Sequence, residues 1–273
     1  MSRIQQIHTR PVVNRARSLA RGLKFSLRTG WAPGFHSSGS LDSAPEDNYG
    51  KRGAWVGSVE NRNYGAQLPG RVMRASGGGS VDYIGWSEPD STVWDVTRGF
   101  SLYIFARAIG NFQDTGFFGK KLNVYHTNPG YWLGRGLFQY SWMFEMANGS
   151  TESHCFGGPI QAPPTPWASV VGTWDGSTMR LYVNGALVAS NAYAPAPAAI
   201  NNAEPMRLFY AEQASGLGYD GDCAAAAFWN RPLAPQEIAL LNTDPYAIWR
   251  PTVNRSFGPM PAMANFNTWF LSM

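Results

Sequence analysis

The sequence predicts an all-β domain, and three observations support that prediction. An Asn-Gly dipeptide at positions 184–185 separates two stretches in which apolar and polar residues alternate. The segment "GFSLYIFARAIG" (99–110) alternates in the same way. The 273 residues include 30 Gly and 19 Pro and are 14% aromatic, a composition typical of short strands joined by many turns. At 44% hydrophobic residues, the chain can also bury a sizeable core.

The Asn-Gly pair at 184–185 predicts a β-hairpin, because a type I′ turn needs positive φ at both of its central residues. In this hairpin we expect Val183 to lie opposite Ala186, and Leu181 to lie opposite Val188. One face is apolar and is expected to be buried, with the side chains of Met179, Leu181, Val183, Ala186 and Val188. The other face carries Arg180, Tyr182 and Leu187. An Asp-Gly reversal at 175–176 adds a preceding strand from "WASVVGTWDG", so the segment is predicted to be a three-stranded meander.

Residues 99–110 predict a longer strand with large side chains on both faces. One face carries Phe100, Leu102, Ile104 and Ala106, and the other carries Ser101, Tyr103, Phe105 and Arg107. Further strands are predicted in "KLNVYHT", "WLGRGLFQYSWMFEMANG", "MRLFYAEQ" and "CAAAAFWNRPL". A short late helix is predicted over "APQEIALLN", because Pro235 suits a first helical turn and Glu237 lies near the positive end of the helix dipole. Its Ile238 and Leu241 are expected to face inward.

The N-terminal segment predicts no membrane or secretory element. No run of about 18 apolar residues occurs, so no transmembrane helix is expected. The first residues are basic but lack the apolar segment of a secretory signal. A transit peptide is the less favoured alternative, since Pro11 and Asn14 interrupt any long amphipathic helix. Residues 31–54 are rich in Gly, Ser and Pro, which predicts a long loop.

The two ends of the chain carry a net positive charge, whereas the part between them is mildly acidic. All 18 acidic residues lie between positions 29 and 244, an interval with only 13 Lys and Arg. Residues 1–28 hold no acid and seven basic residues: Arg3, Arg10, Arg15, Arg17, Arg21, Lys24 and Arg28. We therefore divide the chain into a basic N-terminal arm (1–28), a β-sandwich body (29–250) and a C-terminal tail (251–273). Basic arms of this kind are expected to dock on an acidic partner.

Two segments carry a resemblance to a known family. The stretches "WASVVGTWDGSTMRLYVNGALVAS" and "RLFYAEQASGLGYDGDCAAAAFWNRPLAPQEIALLNTDPYAIWRP" resemble laminin-G-like members of the concanavalin A-like lectin/glucanase superfamily. The resemblance covers about residues 50–250, and it implies a jelly-roll sandwich of two antiparallel sheets. The chain departs from the family at Ala234, where a Ser or Thr helix cap would be usual. The same stretches, with the aromatic "DPYAIWRP" that follows the helix, also resemble lectin-like virion proteins of tailed bacteriophages.

The sequence lacks the pattern of acidic residues that glycosidase catalysis needs. The family's glucanases carry Glu-x-Asp-x-x-Glu on one strand, and retaining glycosidases hold two carboxylates about 5–5.5 Å apart. The nearest match, "EPDSTV" (88–93), has Glu88 and Asp90 but ends in Val93, and Pro89 disfavours a regular strand. Neither a Gly-x-Ser-x-Gly elbow nor a P-loop occurs, and each of the four scattered histidines is interpreted as an ordinary surface or core residue. The sequence therefore predicts no catalytic residue.

A calcium site and a glycan site are both possible interpretations of the sequence, and each has a structural alternative. A calcium ion would suit Asp114, Asp220 and Asp222 if they lie on neighbouring loops, although Asp side chains in a turn usually bond their own backbone. A glycan would suit a loop-presented aromatic, for which Trp86 and Trp132 are the candidates, although most tryptophans of a β-sandwich belong to its core. The two cysteines, Cys155 and Cys223, match no metal or redox spacing and are predicted to be buried thiols.

The resemblance and the basic ends together imply a function. The expected protein is a non-enzymatic bacteriophage virion structural protein, such as a capsid decoration protein, docked on other virion proteins through its arms after assembly in the host cytoplasm. The alternative is a glycan-binding adhesin or tail-fibre lectin module that binds a cell-surface glycan, and a glycoside hydrolase is a remote alternative. Neither nucleic-acid binding nor membrane insertion is expected, because the body lacks a basic groove and the arm lacks a recognised module. No cofactor is expected, apart from the calcium ion considered above.

Overall fold

Two antiparallel β-sheets pack face to face in the computed structural model, which describes residues 18–28, 54–56, 59–63, 71–76, 83–86, 94–110, 115–121, 128–136, 141–158, 164–209 and 220–249. This architecture confirms the predicted fold class, an all-β sandwich with few helices. In chain order the strands are β1 (Leu23–Arg28), β2 (Ala54–Val56), β3 (Val59–Asn63), β4 (Arg71–Ser76), β5 (Tyr83–Trp86), β6 (Phe100–Ala108), β7 (Thr115–Lys121), β8 (Gly130–Arg135), β9 (Trp142–Ala147), β10 (Glu152–Gly157), β11 (Ala168–Trp174), β12 (Thr178–Val183), β13 (Ala186–Ala192), β14 (Met206–Leu208) and β15 (Asp220–Trp229). The helical segments are a 3₁₀ turn (Ser18–Ala20), α1 (Pro197–Ile200) and α2 (Pro235–Thr243). No helix in these ranges has the length and hydropathy needed to cross a bilayer.

The sheets are built from strands that are distant in the sequence. The first sheet has the order β13-β12-β11-β6-β15-β4-β3, and β1 also pairs with β15. The second sheet has the order β10-β9-β8-β7-β14-β5-β2. Strand β15 therefore lies inside the first sheet, with β6 on one side and both β4 and β1 on the other. Long-range antiparallel pairing of this kind is consistent with a jelly roll.

Strand β6 contributes to two cores, as its alternating sequence predicts. Phe100, Leu102 and Ile104 lie in the main core between the two sheets. Tyr103 lies in a second core on the opposite face of the first sheet, where α2 and residues 245–249 cover it. Both faces of this part of the sheet are thus buried, which explains why its central strands are apolar almost throughout.

Both predicted reversals of the β11–β13 meander are present. Asn184 and Gly185 have φ of 51° and 80°, as a type I′ turn requires. At the earlier reversal, the carboxylate of Asp175 accepts hydrogen bonds from the backbone N–H groups of Ser177 and Thr178, each at 2.9 Å. Asp175 therefore stabilises the turn through its own side chain, as Asp commonly does at the first position of a turn.

The register of the hairpin differs from the prediction by one bulge. Val183 pairs with Ala186 as expected, but Leu181 pairs with Ala189 and not with Val188. The bulge adds Val188 as an extra residue of β13 and leaves it only partly buried against the main core. The part of the predicted apolar face on β12 is buried, at Met179, Leu181 and Val183. Ala186, expected on the same face, is exposed on the edge strand β13.

Helix α2 begins at Pro235 as predicted, and one arginine joins its first turn to the end of β15. Glu237 accepts hydrogen bonds from the backbone N–H of Ala234 at 3.0 Å and from both terminal nitrogens of Arg231 at 2.7 and 2.8 Å. Ala234 has no side-chain acceptor, so Glu237 alone provides the side-chain bond at this helix start. Burial alone would raise the pKa of Glu237, but the hydrogen bonds from Arg231 and Ala234 outweigh burial and hold the pKa below its ordinary value.

The expected arm of residues 1–28 is wrong in its second part, because residues 18–28 belong to the folded body. Strand β1 pairs with residues 225–229 of β15, next to the stretch 220–223 that pairs with β4. Without β1, this half of the β15 edge would present unpaired backbone N–H and C=O groups, and that is the physical reason for the difference.

Side chains at the end of β15 hold the same N-terminal segment. The indole Nε1 of Trp229 donates to the carbonyl oxygen of the buried Leu19 at 2.6 Å. Arg231 donates to the carbonyl oxygens of Arg21 at 2.6 Å and Ser18 at 2.9 Å. The side chains of the predicted docking residues Arg21 and Lys24 are exposed on this folded segment, and Arg28 is the last residue of β1. The remaining predicted docking residues lie outside the described residues: Arg3, Arg10, Arg15 and Arg17.

Two further sequence expectations concern the cysteines and the C-terminal tail. Cys155 and Cys223 are both buried free thiols, as predicted. The tail at 251–273 lies outside the described residues, whereas the segment just before it packs on the second core with Tyr246, Ala247, Ile248 and Trp249.

Candidate functional site on the outer face of the second sheet

A row of polar and aromatic side chains crosses the second sheet at right angles to its strands. Five residues on neighbouring strands lie directly opposite one another in this row. In order from β14 to β10 they are Arg207, Gly119, Trp132, Glu145 and His154. Directly opposed residues share one face of a sheet. The row lies on the outer face, because the residues next to it along β8, β9 and β10 contribute to the main core: Tyr131, Leu133, Phe144, Met146 and Cys155.

Glu145 is the centre of a largely buried ion-pair cluster. One of its carboxylate oxygens contacts Nζ of Lys121, and both side chains are buried. Its other oxygen lies 3.2 Å from Nε2 of His154, and the same nitrogen lies 3.7 Å from a carboxylate oxygen of Glu152. A buried carboxylate is tolerated only when it is paired and hydrogen-bonded. Lys121 and His154 therefore make the position of Glu145 energetically acceptable.

Opposing effects set the pKa values of this cluster. Burial alone would raise the pKa of Glu145, but the hydrogen bond from His154 and the charge of Lys121 outweigh burial and hold the pKa below its ordinary value. Burial alone would lower the pKa of His154, but the hydrogen bond to Glu145 and the charges of Glu145 and Glu152 raise it above its ordinary value. Both shifts favour an imidazolium beside a carboxylate, so the cluster holds opposite charges in fixed positions.

The cluster reaches the solvent along β10. The side chains of His154 and Glu152 are 22% and 26% exposed, and Phe156, two residues along the same face, is 41% exposed. The rings of His154 and Phe156 are stacked, with their centroids 5.3 Å apart and an angle of 29° between their planes. An exposed ring can pack against the apolar face of a sugar, while a neighbouring carboxylate and imidazole exchange hydrogen bonds with its hydroxyl groups.

Trp132, predicted to be presented on a loop, lies inside β8 and is fully buried. The strand begins at Gly130, so the expected loop ends before the indole, and Trp132 is a buried neighbour of Glu145 and not an exposed stacking surface. Its Nε1 finds no hydrogen-bond acceptor in the described part of the chain. On the other side, Gly119 has no room for a side chain, since a Cβ would lie 2.4 Å from the Cβ of Trp132. Trp86 is the last residue of β5, and its glycan role stays a prediction.

The structure does not form the predicted calcium turn. Asp220 and Asp222 lie in β15, because residues 220–223 pair with β4 and most of them also with β6. Asp222 is fully buried and accepts a hydrogen bond from Nε of Arg107 at 2.8 Å. This ion pair engages the Asp222 carboxylate and disfavours its use as a calcium ligand. Asp114 lies outside the described residues, as do Glu88 and Asp90 of the rejected glycosidase motif.

Sequence patterns did not identify the members of the ion-pair cluster, which are Lys121, Glu145, Glu152 and His154. A signal for part of it was present in "EMANGSTESH", where an Asn-Gly dipeptide at 148–149 separates β9 from β10. Counting outward from a two-residue turn at this dipeptide would place Glu145 opposite Glu152. The actual connection has four residues, 148–151, and pairs Glu145 with His154 on the same face. Lys121 has no comparable signal, because its contact with Glu145 depends on how β7, β8 and β9 assemble.

Comparisons with known proteins agree with this fold. The profile of the concanavalin A-like lectin/glucanases superfamily, laminin G type, matches residues 78–239. No curated protein matches the chain in sequence. Solved structures match over most of the chain, and three of them illustrate the likeness.

The binding domain of Paraclostridial mosquitocidal protein 1 superposes with a TM-score of 0.60 at 12% identity, over 84% of this chain and 54% of that chain. Botulinum neurotoxin type C, whose cell entry depends on interaction with two ganglioside molecules, superposes with a TM-score of 0.59 at 15% identity, over 83% and 52%. Trypanosoma rangeli sialidase in complex with sialic acid superposes with a TM-score of 0.55 at 15% identity, over 84% and 34%. The chain thus spans about half the length of the two toxin structures and a third of the sialidase, and the likeness concerns the fold.

Proposed function

The chain belongs to the concanavalin A-like lectin/glucanase superfamily, and from that membership we propose that it binds glycans without catalysing a reaction on them. The observation that carries the proposal is the exposed ring of Phe156, stacked on His154 at the solvent edge of the Glu145 cluster. Two of the similar structures are of proteins that interact with gangliosides or with sialic acid, and this supports glycans as the class of ligand.

Each group on β9 and β10 has a distinct role in this proposal. Phe156 packs against the apolar face of a sugar ring, and the carboxylate of the partly exposed Glu152 side chain accepts hydrogen bonds from its hydroxyl groups. His154 is held in place by Glu145, whose other oxygen contacts Lys121. The binding groups therefore project from paired strands, which hold side chains in more fixed positions than loops do.

Replacing Phe156 with Ala should weaken glycan binding by about tenfold, which corresponds to about 1.4 kcal/mol. The substitution removes the stacking surface and leaves the charged cluster in place. The measurement is binding of the full chain to a glycan array, followed by titration calorimetry with the best ligand. Leu187→Ala is the matched control, because Leu187 on β13 is 53% exposed and is the other exposed large apolar residue in the described ranges.

The same experiment tests the absence of catalysis. The bound glycans should be recovered unchanged after long incubation, without release of reducing sugar. The proposal is wrong if no glycan binds, or if Phe156→Ala and Leu187→Ala bind as well as the wild type. Release of reducing sugar that stops in a Glu152→Gln variant would instead identify a glycosidase.

A second candidate function is a structural role on the surface of a bacteriophage virion, assembled in the host cytoplasm. It is favoured by the net positive charge of both chain ends, since residues 1–17 and the tail at 251–273 contain no acid. Arginine suits docking on a subunit surface, because its planar guanidinium binds carboxylates at two points and stacks on aromatic rings. In this candidate the glycan-binding face points away from the particle.

Deleting residues 1–17 tests the docking role and keeps the segment that Trp229 and Arg231 hold. The truncated protein should stay folded and should fail to bind virions that lack the protein. Deleting residues 1–28 is the contrasting variant, and it should lower thermal stability because it removes β1. If the protein that lacks residues 1–17 still binds virions at full occupancy, docking through the arm is contradicted.

A further inference from the structure

We propose that Glu145, Glu152 and His154 form a binding site for one Zn²⁺ ion per chain, a function that goes beyond glycan recognition and does not depend on it. The ligand atoms of these three residues lie within 4.8 Å of one another. Nε2 of His154 lies 3.2 Å from a Glu145 oxygen and 3.7 Å from a Glu152 oxygen. Two ligands of a tetrahedral zinc ion lie roughly 3.3 Å apart when each bond is about 2.0 Å. Release of the Nε2 proton of His154 to solvent and small side-chain shifts would therefore place all three atoms around one ion.

The three ligand atoms favour Zn²⁺ over Ca²⁺ at this site. One imidazole nitrogen and two carboxylate oxygens suit Zn²⁺, whereas Ca²⁺ takes six to eight oxygen ligands. Three protein ligands also leave the fourth tetrahedral position for a water molecule or an outside ligand. The partial exposure of Glu152 and His154 gives an ion a route from solvent to the buried oxygen of Glu145.

Residues around the three ligands support the site. Lys121 contacts one oxygen of Glu145, which orients the carboxylate and leaves the oxygen that faces His154 for the metal. Hydrogen-bonded partners of ligands commonly tune metal sites in this way. Trp132 lies directly opposite Glu145 on the same face, and its buried Nε1 has no acceptor in the described ranges.

Titration calorimetry of the metal-free full chain with ZnCl₂, in the absence of any glycan, tests the inference. We expect one Zn²⁺ per chain and no displacement by excess Ca²⁺. Glu152→Gln and His154→Gln should each weaken zinc binding by at least about tenfold. Glu204→Gln is the matched control, since the side chain of Glu204 is 24% exposed in an ion pair with Arg207, close to the 26% of Glu152. This control should bind zinc like the wild type.

The X-ray absorption spectrum of the wild-type zinc complex provides a readout that needs no variant. It should show one imidazole nitrogen with oxygen ligands and no sulfur. The inference is overturned if the wild type binds no zinc at a single site, if both ligand variants bind zinc normally, or if Ca²⁺ displaces the ion. Because these assays contain no sugar, their failure leaves the glycan proposal standing, and a failed glycan array leaves the zinc site standing.

Discussion

Replacing Lys121 with Met should lower the free energy of unfolding by about 3–5 kcal/mol, the usual cost of removing one partner of a buried ion pair. The Nζ of Lys121 contacts Glu145, and both side chains are buried. Met keeps most of the apolar stem of the side chain but leaves Glu145 with His154 as its remaining positive neighbour. Urea denaturation in metal-free buffer at neutral pH measures the loss.

Removing both charges is the control for this prediction. The double variant Lys121→Met, Glu145→Leu should recover most of the lost stability, because replacing a buried pair by apolar residues of similar volume is often neutral. The Lys121→Met prediction also has a pH dependence, because the pKa of Glu145 is lowered in the folded protein. Its ion pair therefore stabilises the fold above the ordinary pKa, and that stabilisation is lost as the pH falls through the folded pKa. The Lys121→Met loss should shrink accordingly in acid, and a loss under about 1 kcal/mol at neutral pH would contradict the prediction.

Replacing Leu181 with Ala should lower the free energy of unfolding by about 2–5 kcal/mol. Leu181 is fully buried in the main core, in the middle of β12, so the shorter side chain leaves a cavity between the sheets. Thermal and urea unfolding measure the effect. Leu187→Ala removes the same atoms from an exposed position of the neighbouring strand and should change stability by no more than about 0.5 kcal/mol. Equal losses of unfolding free energy in Leu181→Ala and Leu187→Ala would show that the meander does not pack as described.

Features that depend on neighbouring residues were predictable from the sequence. The type I′ turn follows from the Asn184-Gly185 pair, and the start of α2 follows from Pro235 and Glu237. The bulge at Val188 was not predictable, because β13 begins with four consecutive apolar residues, 186–189, which fit either register. The pairing of β1 was missed for a different reason: its basic residues are typical of a free arm, and its partner β15 lies about two hundred residues away.

The candidate site was less predictable than the fold. The prediction that a loop presents Trp132 was wrong, because nothing local marks Gly130 as the start of a strand. Glu145 and His154 meet across the β9–β10 hairpin, but counting from its Asn-Gly dipeptide pairs Glu145 with Glu152, so the dipeptide indicates the shared face and not the partner. Lys121 reaches Glu145 only after three strands have taken their register, and a single sequence contains no signal for that assembly.

The central place of β15 in the first sheet has a consequence for how the chain folds during synthesis. Its partners β1, β4 and β6 all leave the ribosome before it does, and the bond between Leu19 and Trp229 spans 210 positions of the chain. Until residues 220–229 emerge, the earlier strands of this sheet lack the strand that joins them, and their edges stay available to other chains. Pairing over such separations is slow, because loop-closure entropy is lost before the contacts form. The nascent protein is therefore expected to stay incompletely folded until nearly all of the body has been made, which makes chaperone binding and aggregation competing fates at that stage.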